Sequence, residues 1–175
     1  MLTHGAGGRP DTRDVLAAAD AAIGCGAAVA LVTQPYRVAG RSTPPAPGPQ
    51  DESWRELVAA LRRRRGLARL LLVLGGRSNG ARVACRTAIA CGAVGVLALA
   101  FPLHPPGKPE RSRVDELAGA GVPVLVLQGD RDPFGMPPAA PGREVVVLPG
   151  DGHSLTKNLP AITACMAGFV ARFVD

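Results

Sequence analysis

Aromatic residues are scarce in this sequence, with one Trp, one Tyr and four Phe in 175 residues. The core must therefore be built from Ala, Val, Leu and Ile, a composition common in sheets covered by small-residue helices. Lysine is nearly absent, at Lys108 and Lys157 alone, so the net charge of +6 and the pI near 9.9 rest on arginine. The densest basic run, Arg62 to Arg65, follows Trp54, Leu57, Val58 and Leu61 at helical spacing and precedes Gly66. This fits the cation-rich, glycine-capped end of a helix better than a phosphate-binding stripe, because no aromatic platform or basic groove accompanies it. No nucleic-acid partner is expected. The four cysteines, Cys25, Cys85, Cys91 and Cys165, form no C-x-x-C pair and have no His at metal-ligand spacing. They read as small hydrophobes in a reducing compartment, and no metal is expected. The longest apolar run, Ala88 to Phe101, falls short of the roughly 20 residues of a bilayer span, and the start lacks a charged region followed by a hydrophobic one. No membrane association is expected, and a cytoplasmic location is.

What remains is 47% apolar and 19% charged, which suits one compact domain over residues 1–175 and excludes disorder, collagen and coiled coil. Apolar runs alternate with helical patterns. Asp11 to Ile23 reads as a helix with Asp11 as its N-cap and Val15, Leu16, Ala19 and Ile23 on one face. Ala27 to Thr33 is a buried strand, and a Pro/Gly-rich connection from Ala39 to Gln50 leads into the Trp54 helix. Leu70 to Leu74 is the next strand, then a small-residue helix over Ser78 to Cys91, then a strand over Val94 to Ala100. Ser112 and Asp115 suggest a capping box for a short helix, and Val124 to Leu127 and Glu144 to Leu148 read as two further strands. The last helix begins near Pro160 and turns Ile162, Cys165, Met166, Phe169 and Phe173 inward. This alternation implies an α/β fold, a parallel doubly wound sheet flanked by helices. Ser42 to Pro49 and Pro133 to Pro141 read as surface loops within that sheet.

In such a sheet ligands gather at the carboxyl ends of the strands. After the Leu70 strand comes Gly76-Arg77-Ser78-Asn79-Gly80, a G-x-S-x-G between strand and helix, where a sharp turn would lift the serine hydroxyl above the sheet. After the next-to-last strand comes Asp130-Arg131-Asp132, and after the last comes Gly152-His153-Ser154, with 20 residues between Asp132 and His153. The order Ser, Asp, His belongs to α/β-hydrolases. Ser78 is the candidate nucleophile, His153 its base, and Asp132 the orienting carboxylate, with Asp130 a rival for the last role. For the oxyanion, the amide of Asn79 and that of Ala6, in His4-Gly5-Ala6-Gly7-Gly8, are the candidate donors. No organic cofactor is expected: neither glycine segment completes a dinucleotide or P-loop motif.

His4-Gly5-Ala6-Gly7-Gly8, Gln34-Pro35-Tyr36-Arg37-Val38-Ala39-Gly40, Gly76-Arg77-Ser78-Asn79-Gly80, Phe101-Pro102-Leu103-His104-Pro105-Pro106-Gly107, Asp132-Pro133-Phe134-Gly135 and Gly152-His153-Ser154 together resemble the small bacterial α/β-hydrolases related to dienelactone hydrolases. These are grouped with the hydrolase-like domains of testis-expressed and NSL-complex regulatory-subunit proteins. The resemblance covers nearly the whole chain and implies an α/β-hydrolase fold with Ser78, Asp132 and His153 at the triad positions. It also implies that the strand before His4 is cut to a stub between its two neighbours, leaving unpaired inner edges. A reading frame opening roughly 25 to 35 residues upstream is the corresponding expectation.

The expected function is hydrolysis of a small-molecule ester, thioester or related acyl bond through an acyl-enzyme. The alternative is a catalytically silent hydrolase fold serving as an interaction module. The loops with Tyr36, Arg37 and His104 should reach the rim of the site, where the cations, with Arg77 a candidate to join them, would either select anionic substrates or pin the loops through backbone carbonyls.

Overall fold

We describe residues 1–174 of a computed structural model. Six parallel strands form one sheet in the order β2-β1-β3-β4-β5-β6. They are β1 (Leu2–Thr3), β2 (Leu31–Val32), β3 (Leu72–Arg77), β4 (Ala93–Leu99), β5 (Val124–Gly129) and β6 (Arg143–Leu148). The helices are α1 (Arg13–Gly24), α2 (Pro35–Val38), α3 (Pro47–Arg62), α4 (Asn79–Thr87), α5 (Val114–Ala118) and α6 (Leu159–Val170). Two cores result, one on each face. Trp54 and Val58 of α3, the small residues of α4 and Leu117 of α5 cover one side, and α1 with α6 covers the other. Strands β4 and β5 are buried on both faces, which is why they read as unbroken apolar runs.

Several local expectations are corrected. The inward face of α1 is the alanine stripe Ala18, Ala19, Ala21 and Ala22 with Val15, while Ile23 is 57% exposed and Leu16 lies at the margin. Alanines permit the close approach of α6, which larger side chains would hold off. The N-cap of α1 is Thr12, not Asp11, and no side chain caps it. The capping box at Ser112 does not form; Ser112 Oγ accepts from Val114 N–H in a local turn before α5. The Pro-rich stretch Ser42 to Pro49 is only partly loop, since Pro47 to Pro49 open α3, where proline's missing N–H costs nothing. That helix ends at Arg62, so the basic run overshoots it, and Gly66 takes up a left-handed turn beyond. Cys85 is buried, and the other three cysteines are partly exposed free thiols. In α6 the buried residues are Ile162, Met166, Phe169 and Val170, with Phe173 past its end. No described helix is long and apolar enough to cross a membrane.

Around β1, the inner edges are joined. Leu2 and Thr3 pair with Leu31 and Val32 on one side and with Gly75 and Gly76 on the other. Nearer the amino ends, β2 and β3 part around an apolar cleft of about 330 Å³ lined by Ala27 to Ala30 and Leu70 to Val73. Of the expected strand Ala27 to Thr33, only Leu31 and Val32 enter the sheet.

Candidate functional site

The carboxyl ends of β1, β3, β5 and β6 bring the candidate residues together. Ser78 lies between β3 and α4 with φ 53° and ψ −113°, a backbone conformation that side-chain-bearing residues rarely adopt. The flanking glycines serve a different purpose from the one the motif suggests. Neither Gly76 nor Gly80 has a positive φ; a Cβ on Gly76 would stand 2.6 Å from Thr3 O, and one on Gly80 2.7 Å from His4 O. They let the turn seat directly on the strand beside it, while Ser78 alone carries the strain.

His153 Nε2 is 2.9 Å from Ser78 Oγ, and His153 Nδ1 is 2.8 Å from Asp132 Oδ2. The Asp132 side chain is fully buried, whereas that of His153 is 21% exposed. Both carboxylate oxygens are engaged: Oδ1 accepts from Phe134 N–H at 2.9 Å, and Oδ2 also accepts from Gln128 Nε2 at 2.8 Å. Phe134 lies against the His153 ring, with centroids 4.3 Å apart. Asp130, the rival acid, accepts from Gly150 N–H and takes no part in this chain. The serine, histidine and carboxylate thus have the geometry to pass a proton from hydroxyl to imidazole while the imidazole stays oriented.

Gly5 abuts the turn, since a Cβ there would be 3.3 Å from Ser78 Cβ; Ala6 is the residue that follows Gly5, and Asn79 follows the serine as the first residue of α4. Neither amide N–H meets a backbone acceptor among the described residues. Among the described residues, none of the rim side chains hydrogen-bonds to Ser78. Tyr36 is buried and donates its hydroxyl to Ala6 O at 2.6 Å. Arg37 reaches Arg41 O at 3.2 Å, and His104 packs against Gly135 behind the acid loop, its main-chain N–H bonded to Phe134 O. Arg77 is withdrawn from the rim: it donates to His153 O at 2.8 Å and forms an ion pair of 3.0 Å with buried Asp14 of α1. Its Nε and the Asp14 oxygen face each other without hydrogen-bond alignment.

Three supporting residues were not singled out from the sequence. Gln128 holds Asp132. Asp151, 1% exposed, accepts from the N–H groups of Lys157 and Asn158 and from Asn158 Nδ2, closing the loop that carries His153. Burial pushes the Asp151 carboxyl up, but these donors outweigh it and hold it below the usual range. His4 is fully buried under the Gly5 turn; burial lowers its basicity, its bond to Gly5 opposes this, and the Arg37 charge adds to the lowering. The available signal was a polar residue interrupting apolar sequence at a strand end. Among the described residues, no three His, Cys, Asp or Glu side chains gather as a metal site.

Residues 1–147 match the family described as alpha/beta hydrolase domain, and the chain belongs to it. The match includes Ser78 and Asp132 and ends before His153. No curated protein matches the sequence. Among solved structures, the chain is similar to a dienelactone hydrolase from Anabaena variabilis, at 16% identity, TM-score 0.74, over 99% of this chain and 86% of that one. It is also similar to an α/β serine hydrolase without a lid from Xanthomonas campestris, at 20% identity, TM-score 0.67, over 99% and 81%. A third likeness is to Est1E from Butyrivibrio proteoclasticus, at 14% identity, TM-score 0.70, over 99% and 86%. At these identities the likeness is one of fold.

Proposed function

We propose that the protein is a serine hydrolase that cleaves a small ester, thioester or related acyl bond, acting in the cytoplasm without metal or organic cofactor. The observation that carries this reading is the hydrogen-bonded chain Ser78–His153–Asp132 on a serine held at φ 53°. His153 Nε2 takes the Ser78 proton as Oγ attacks the acyl carbon, and Asp132 steadies the imidazolium. The Ala6 and Asn79 amides receive the oxyanion. Collapse of the tetrahedral intermediate breaks the bond to the leaving group, which departs with the proton from His153. Water then attacks the acyl-Ser78 ester by the same route, releasing the acid.

A fluorophosphonate probe tests the reading. The folded wild-type protein is expected to be labelled covalently at Ser78, and Ser78→Ala to lose all labelling together with ester turnover. Absence of wild-type labelling would leave the interaction module as the reading. At the rim, the bond from Arg37 to Arg41 O supports a loop-pinning role. Arg37→Ala is therefore expected to keep the preference between anionic and neutral esters within about twofold; a lost preference for anionic esters would restore the selectivity role.

A further inference from the structure

We propose, resting on the serine-hydrolase reading, that His4 is a positioning residue: its Nδ1–H holds the Gly5 carbonyl inward and so turns the Ala6 N–H toward the oxyanion at Ser78. Hydrogen bonding assigns the tautomer. The main-chain N–H of Gln34 points at His4 Nε2 from 3.0 Å, and a backbone amide can only donate. Nε2 is thus the unprotonated nitrogen, and Nδ1 carries the proton that it gives to Gly5 O at 2.6 Å. Gly5 O also accepts from Gly8 N–H, at 3.1 Å, so it is fixed inside the turn. In a planar trans peptide the C=O and the following N–H point in opposite directions. With Gly5 O held in, the Ala6 N–H is held out, beside the nucleophile. The next carbonyl, Ala6 O, is gripped separately by the Tyr36 hydroxyl.

The histidine is itself braced. Gln34 Nε2 donates to His4 O at 2.9 Å, Gln50 Nε2 donates to Gln34 Oε1 at 2.7 Å, and Arg86 Nη2 donates to Gln50 Oε1 at 3.2 Å. Arg86 belongs to α4, the helix that opens at the nucleophile turn, and is anchored by Asp51 and Glu116. A polar chain through the apolar core therefore links the turn carrying one proposed oxyanion donor to the helix supplying the other. Such a chain keeps two donors from separate elements at a fixed spacing, the condition for stabilising charge that appears only in the transition state.

Two near-isosteric variants separate positioning from bulk stability. Asn places its amide nitrogen near Nδ1 and can still donate to Gly5 O; Gln reaches toward Nε2 and can satisfy Gln34, but has no donor for Gly5. With p-nitrophenyl acetate, His4→Gln is expected to lower kcat about 10- to 100-fold with KM within about twofold, and His4→Asn to stay within about threefold of wild type in kcat. Should His4→Gln fail to fold, His4→Leu fills the same space without a donor and is expected to show the same loss. Equal kcat in the donor-bearing and donor-lacking variants would overturn the positioning role. If wild type neither turns over the ester nor takes the fluorophosphonate label, the serine-hydrolase reading itself falls, and the positioning role with it.

Discussion

Asp132 accepts three hydrogen bonds through its two oxygens, and only the one from His153 bears on proton transfer. Asp132→Asn would turn an amide toward His153 or force the imidazole into the wrong tautomer, while its single oxygen can still take the Phe134 N–H and Gln128 Nε2 retains Gly135 O and Phe101 O as acceptors. Turnover is expected to fall about 10⁴-fold with little change in melting temperature, which steady-state kinetics beside a thermal melt would check. Asp130→Asn leaves that chain intact and should cost less than about threefold in kcat. The Ser-to-Asp-to-His order was legible because those residues sit in loops whose place at strand ends follows from the apolar runs before them. The tautomer of His4 and the hold of Gln128 on Asp132 were not, because each depends on a partner brought near by the fold. His4 and the Gln34 amide that defines its tautomer, for instance, meet only across the adjoining ends of β1 and β2.

Elements bear on the site through close approach. The turn at Ser78 lies so near β1 that Gly80→Ala would press a Cβ within 2.7 Å of His4 O and 2.8 Å of Thr3 Cγ2. Neither the strand backbone nor the buried threonine can give way, so a loss of about 3 kcal/mol or more is expected in chemical denaturation. The loop between β6 and α6 depends on Asp151 instead. Asp151→Ala removes the acceptor for two main-chain amides at the helix start and is expected to cost about 1–2 kcal/mol. It should also slow turnover, because His153 lies two residues away. Elements also show where pattern reading failed. Leu16 and Ile23 have the helical spacing of a core face, yet α1 buries its alanines, because the neighbouring α6 leaves room only for small side chains. Strand β2 reads as seven residues of apolar sequence but only two enter the sheet, since a strand extends only as far as its partner does.

At the scale of the molecule, buried His4 and Asp151 and half-buried Glu116 give stability a pH dependence with a definite sign. His4 has its folded pKa below the ordinary 6.5, so the unfolded chain binds a proton that the folded chain refuses. Stability should be complete above that ordinary value and fall as pH drops below it, by at most about 1.4 kcal/mol per pH unit. Asp151 and Glu116 are the opposite kind of group. Burial raises the Glu116 carboxyl, but Arg82 and Arg86 hold it below its usual range, as donors hold Asp151. Their contribution is present above the ordinary carboxylate pKa and is lost as pH falls through their lowered folded values. Urea midpoints measured from pH 8 to pH 3 should decline first through the histidine range and again in the carboxylate range. His4→Asn should lessen the first decline and leave the second.

By itself, the sequence determined the α/β class, the parallel order of helices and strands, and the three loops that carry Ser78, Asp132 and His153. It could do so because apolar runs, glycine turns and their order along the chain are local properties. Only the tertiary structure decided which aspartate faces His153, why Gly76 and Gly80 must lack a Cβ, and that Arg37, Arg77 and Tyr36 are bonded within the protein. Those outcomes depend on distances between segments far apart in the chain, and a hydrogen bond or a steric clash is decided within a few tenths of an ångström.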